Sequence, residues 1–167
     1  MRKSLIPGIL ILGACAGLAA VFGSKANAAT VTDTFTSQII IQASCIINST
    51  NTLDFGTVGT LTANVDAQAD ISVQCSNLTA YNVRLDAGIG AGTIATRTME
   101  NAGTPVNYNM YRDAARTLNW GETDTVDTVD ATGTGSAVLH TVYGRVPPQA
   151  TPAANTYTDT VTVTVNF

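Results

Sequence analysis

Lysine is almost missing from this chain of 167 residues: its only two, Lys3 and Lys25, both stand near the N-terminus. There is one histidine, one tryptophan and three cysteines, and aromatic residues make up 6%. Each scarcity excludes something. Without lysine past position 25 the chain is poorly equipped to neutralise phosphates, so neither nucleic acid nor an anionic membrane is an expected partner. Only one long apolar run occurs, from Leu5 to Phe22, so no later segment is expected to span a bilayer. No window carries an apolar stripe of helical period.

What is present begins with a processing signal. Met1-Arg2-Lys3-Ser4 is a short basic start, the apolar run follows, and Ala26-Asn27-Ala28 supplies a small-x-small cleavage site. Residues 1–28 therefore read as a secretory signal peptide. A rival reading takes Leu12-Gly13-Ala14-Cys15 as a lipobox, but cleavage there would strand Leu18, Val21 and Phe22 on the mature protein. Cutting after Ala28 leaves 139 residues with five arginines, twelve acids and a net charge of −7. It also leaves two cysteines, Cys45 and Cys75. An even pair in an exported chain is most simply a disulfide. Closing a loop of that size is worth roughly 3–4 kcal/mol on the chain-entropy account.

The mature sequence holds 27 threonines, many alternating with apolar residues, which is the period-2 pattern of half-buried strands. The C-terminus is clearest: Tyr157, Val161, Val163, Val165 and Phe167 share one face, with Asp159 the polar exception. Phe35 to Cys45, Ile71 to Cys75, Tyr81 to Leu85, Val106 to Arg112 and Ala137 to Val146 are less regular candidates. Six or seven short strands separated by turn-rich pieces predict one all-β domain, an antiparallel sandwich. Two features stand out. The strongest strand runs to Phe167, and Thr30 to Ser37 extends the first strand pattern well upstream of Cys45. A bare edge and a spare strand would suit polymerisation by strand addition. A sandwich whose first and last strands pair within one chain remains the alternative.

Candidate chemistry is thin. His140 alternates with Val138 and Val142 on one strand face, as a packed residue does, and no Gly-x-Ser-x-Gly elbow or free mature thiol accompanies it. Glu122, Asp124, Asp127 and Asp130 lack calcium-loop spacing and read as a solvated loop. Gly88-Ile89-Gly90-Ala91-Gly92 precedes no lysine and no helix, so it reads as a flexible connection. Asn48-Ser49-Thr50 and Asn77-Leu78-Thr79 match glycosylation sequons by chance in so threonine-rich a chain. No catalytic residue, cofactor or metal is expected.

Several blocks in fixed order go beyond composition. Cys45 is followed by Leu53-Asp54-Phe55-Gly56, Ile71-Ser72-Val73-Gln74-Cys75 and Arg97-Thr98-Met99. Then come Tyr108-Asn109-Met110-Tyr111-Arg112-Asp113-Ala114-Ala115-Arg116, Trp120-Gly121, Tyr143-Gly144-Arg145-Val146-Pro147 and Tyr157-Thr158-Asp159-Thr160. In these the chain, over residues 30–167, resembles the spore coat protein U domain family, which includes subunits of archaic chaperone–usher pili, and is most similar to Csu-type major pilins. One departure is Asn155, where the family has glycine, and asparagine is the residue expected to tolerate a positive φ there.

The resemblance implies an incomplete immunoglobulin-like sandwich lacking its last strand. A periplasmic chaperone lends a strand, and at the outer-membrane usher the N-terminal extension of the next subunit replaces it. Residues 29–37 would then be the donor and 38–167 the pilin domain. Val31, Asp33, Phe35 and Ser37 lie on the inserting face, Val31 and Phe35 being the expected plugs and Ile39 continuing the face. Asp33 is out of keeping with an apolar groove. Tyr157, Val161, Val163, Val165 and Phe167 would form the acceptor edge. Around Tyr108, Tyr111 and Trp120 are expected to be core or groove-lining aromatics, with Arg112, Asp113 and Arg116 an ordering polar network.

The implied function is a pilus subunit polymerising for surface attachment and biofilm formation, exported through the periplasm to the cell surface. Its partners would be copies of itself, the chaperone, the usher and neighbouring minor subunits. Alternatives are a secreted spore or cell coat protein, or a minor or adaptor subunit. A tip adhesin is disfavoured because the mature chain leaves no room for an added binding domain, and an enzyme because no catalytic constellation is present.

Overall fold

The alternation of threonine with valine, isoleucine and tyrosine becomes strand wherever a neighbour can complete the backbone ladder. A computed structural model describes residues 27–167. Its strands are β1 (Cys45–Thr50), β2 (Val65–Cys75), β3 (Ala80–Leu85), β4 (Arg97–Asn101), β5 (Thr104–Tyr111), β6 (Val129–Thr132), β7 (Ala137–Val146) and β8 (Val163–Asn166). They form two antiparallel sheets, ordered β1-β2-β7-β5-β4 and β6-β3-β8. The described residues contain no helix. The predicted all-β antiparallel sandwich is what forms.

The spine is the β2–β7 ladder, in register from Val65↔Val146 to Gln74↔Ala137. Ile71 and Val73 of β2, Val83 and Leu85 of β3, Val106, Tyr108 and Met110 of β5, and Val142 and Val146 of β7 turn inward around Trp120. Each such side chain contributes roughly 1.5–3 kcal/mol when taken from water. Cys45 stands opposite Cys75 in the β1–β2 ladder and is disulfide-bonded to it, as expected.

Three sequence expectations need correction. The first strand does not run from Phe35 to Cys45; it begins at Cys45 and continues to Thr50. Residues 27–44 alternate as a strand would, but carry no strand assignment and are exposed throughout. Period 2 reports which face a side chain would take, not whether a partner exists. The C-terminal strand is likewise shorter, since Tyr157 to Thr162 fall outside β8 although their half-buried and exposed positions still alternate. Among the described residues there are eight strands rather than six or seven, because β4 and β6 are too short to leave a pattern. The chain divides into two units, Met1–Ile39 and Ile40–Phe167, and all eight strands belong to the second. The signal-peptide assignment lies almost wholly outside the described residues.

Candidate functional site

The sheet orders leave β1 as one edge of the five-stranded sheet and β8 as one edge of the three-stranded sheet. Beside the segments that continue these edges, residues 51–58 after β1 and 155–161 before β8, the sandwich is open. A groove of about 740 Å³ runs there, walled by residues 50–58 on one side and 155–161 with Val163 on the other. Its floor is the core itself: Ile71, Leu85, Val106, Tyr108, Met110 and Val142. Gly144 of β7 lets Leu53 and Phe55 close over the sheet, for a Cβ there would stand 2.7 Å from Leu53 and 2.8 Å from Phe55. Phe55 then meets Tyr108 edge to face, with ring centroids 6.0 Å apart.

The C-terminal wall changes sheets as it runs. Thr158 exchanges backbone hydrogen bonds with Glu100 of β4, in the five-stranded sheet, whereas Val163–Asn166 pair with β3 in the other. Thr162 accepts from the backbone amide of Asp86 at 3.2 Å, so it too faces its own domain. Because alternate residues of an extended chain direct N–H and C=O to opposite sides, Val161, Val163 and Val165 turn theirs toward the free edge.

Beside the groove lies a buried polar frame. Arg97 is fully buried, its guanidinium donating to the carbonyls of Asp86 (2.8 Å), Leu85 (3.0 Å) and Trp120 (2.8 Å) and to Asn109 Oδ1 (3.1 Å). Burial pushes its pKa down, against the charges of Asp86, Asp159 and Asp127. Tyr108 Oη donates to Asp159 Oδ2 at 2.7 Å. Burial and then that carboxylate push the phenol well above its ordinary range. Burial works to raise the Asp86 carboxyl, but hydrogen bonds from Thr162 and Gly88, with the Arg97 charge, hold it below the usual carboxylate range.

Not every residue expected at the site arrives there. Tyr157, Val161 and Val163 line the groove; Val165 is half-buried on β8 beyond it, and Phe167 is 62% exposed. Val31, Asp33, Phe35 and Ser37 are exposed, Val31 at 98% and Phe35 at 90%. Exposure continues through Ile39, Ile40 and Ile41. Trp120 is core, its Nε1 donating to Val83 O at 2.8 Å, whereas Tyr111 is half-buried on the strand face opposite Met110 and paired with Tyr143. Arg112, Asp113 and Arg116 do not form one network. Arg112 reaches the carbonyls of Val126 and Thr128, Asp113 accepts from the Thr117 and Leu118 amides, and Arg116 bonds Gly144 O and pairs with Asp66.

Other expectations fare as follows. His140 is buried, with Nε2 2.9 Å from Tyr81 Oη, and burial lowers its pKa. Among the described residues no group of three or more acidic, histidine or cysteine side chains could hold a metal. Asn155 is not at positive φ; its Oδ1 instead accepts from the Thr156 amide. The glycine-rich loop is not loose, because Asp159 Oδ1 accepts from the amides of Ile89 (2.9 Å) and Gly90 (3.2 Å). Asp86 and Arg97 were missed as site residues. The one available signal was an arginine opening an otherwise uncharged strand-like stretch, Arg97-Thr98-Met99.

Comparison with known proteins shows a family and a fold. The family model described as Spore Coat Protein U domain matches residues 31–164. Protein U of Myxococcus xanthus is 32% identical over 160 residues, covering 86% of this chain and 89% of that protein. Among solved structures, one chain of a chaperone–tip adhesion subunit pre-assembly complex, from the archaic chaperone–usher Csu pili of Acinetobacter baumannii, superposes with a TM-score of 0.53. That match is 24% identical in sequence and covers 76% of this chain. It spans 40% of the solved chain's length.

Proposed function

Since the chain belongs to the spore coat protein U domain family, a structural and non-enzymatic family of extracellular proteins, we propose that it is a structural subunit of an archaic chaperone–usher pilus that polymerises by donor-strand exchange. The observation that carries this reading is the groove. A sandwich whose core floor opens between residues 50–58 and the unpaired side of residues 155–163 has room and hydrogen-bonding capacity for one more strand. The chain also owns a suitable segment. Residues 29–37 are exposed, threonines alternate with Ala29, Val31, Asp33 and Phe35, and the inserting face continues to Ile39. In this reading a chaperone strand fills the groove first, and at the usher the corresponding segment of the next copy replaces it. Surface attachment and biofilm formation follow from the fibre.

A coat protein deposited without fibre formation is the second reading, favoured by the near full-length likeness to Protein U. Electron microscopy of the host surface with and without the protein separates the two, fibres supporting the first. Native, unboiled gels test the mechanism. Deleting residues 29–37 should abolish ladders, and long ladders from the truncated protein would overturn donor-strand exchange through this segment.

A further inference from the structure

The groove's C-terminal wall has to cross from one sheet to the other, and between Thr158 and Val163 no regular ladder holds it. Two carboxylates stand in for that ladder. Asp159 Oδ1 accepts from the Ile89 and Gly90 amides, and Asp159 Oδ2 accepts from Tyr108 Oη. Asp86 Oδ1 accepts from the Thr162 amide at 2.8 Å and the Gly88 amide at 2.9 Å. Arg97 Nε fastens the carbonyl of that same Asp86 to the core. The fit leaves no slack at Gly88: its φ is +83°, and a Cβ there would collide with the Asp159 carboxylate.

We propose that Asp159, with Asp86, is the positioning residue of the groove: their carboxylates fasten the crossing segment to the Asp86–Gly90 loop, so the free edge at Val161 and Val163 is straight before any strand arrives. This rests on the donor-strand reading for its purpose, though not for its geometry. A pre-formed edge spares the incoming strand the ordering of its partner, which speeds capture more than it strengthens the filled state.

The test uses the mature chain, a synthetic peptide of residues 29–41 as probe, and the variants Asp159→Ala, Asp159→Asn and Gly88→Ala. Asp159→Ala and Gly88→Ala should accelerate amide exchange across residues 158–163 about tenfold while β2 and β7 stay protected. They should slow peptide capture by a similar factor, with a much smaller change in the thermal midpoint of the peptide-filled protein. Asp159→Asn keeps an acceptor for the Ile89 and Gly90 amides and should restore most of both. Exchange at 158–163 unchanged in Asp159→Ala overturns the proposal whatever the peptide does. So does capture at the wild-type rate accompanied by a lowered midpoint, the mark of a merely structural carboxylate. If the wild-type protein captures no peptide while exchange still rises in the variants, the fastening stands and the donor-strand reading falls.

Discussion

Arg97 shows how one side chain can hold a loop, two strands and an aromatic anchor together. Its guanidinium has only neutral acceptors in direct contact, so removing it strands the carbonyls of Leu85, Asp86 and Trp120 in a dry interior. Arg97→Met should destabilise the domain by on the order of 3–5 kcal/mol, read as a lowered denaturation midpoint. Arg97→Lys should recover only part, because an ammonium lacks the planar fork. His140 makes a pH prediction. Burial depresses its folded-state pKa below the ordinary 6.5, so the unfolded chain takes up the proton first. Stability is therefore full above pH 6.5 and declines as pH falls toward the folded value, by up to about 1.4 kcal/mol per pH unit. His140→Gln, which can still bond Tyr81 Oη, should flatten the pH dependence of thermal stability between pH 7 and 5.

At the scale of strands and segments, the sequence was legible where both faces of a pattern are sampled by a partner. Ile71–Cys75, Tyr81–Leu85 and Ala137–Val146 alternate against the core and were recovered within β2, β3 and β7. Phe35 to Ser44 shows the same alternation and forms no strand, because periodicity records a preference for a ladder and not the ladder itself. The groove was half legible: its Tyr157–Val163 wall came from alternation, but Asp159 looked like an interruption when it is a fastening. Carboxylate-to-amide bonds across 70 residues leave no local pattern to read. Within the proposed donor segment, Phe35→Asp should depress polymerisation far more than Thr34→Asp, since neighbouring side chains face opposite ways. Native gel ladders of the two variants measure the difference. The β1–β2 bridge should matter comparably: Cys45→Ser is expected to remove roughly 2–5 kcal/mol and to lower assembled protein sharply, seen by denaturation and by immunoblot of surface fractions.

At the scale of the whole chain, the donor-strand reading makes the groove the place of a strand, and the decisive manipulation is to fill it from within. Joining residues 29–41 after Phe167 through a short flexible linker, and removing them from the N-terminus, should give a soluble monomer, because the tethered strand outcompetes one from another molecule. Size-exclusion chromatography would show a single small species whose thermal midpoint no longer depends on protein concentration.

In the proposed fibre, where copies are joined end to end, the Cys45–Cys75 bond has a mechanical meaning. Tension arriving along the N-terminal segment meets Ser44, whose carbonyl accepts from the Ser76 amide, and then at once a covalent bond to β2. Peeling β1 away rung by rung is blocked at its first rung. The load passes instead into β2 and, through the in-register ladder with β7, into the centre of the five-stranded sheet. There ten residue pairs would share it. A pulled fibre of such subunits would therefore lengthen by straightening the residues ahead of Ser44, while each sandwich kept its shape.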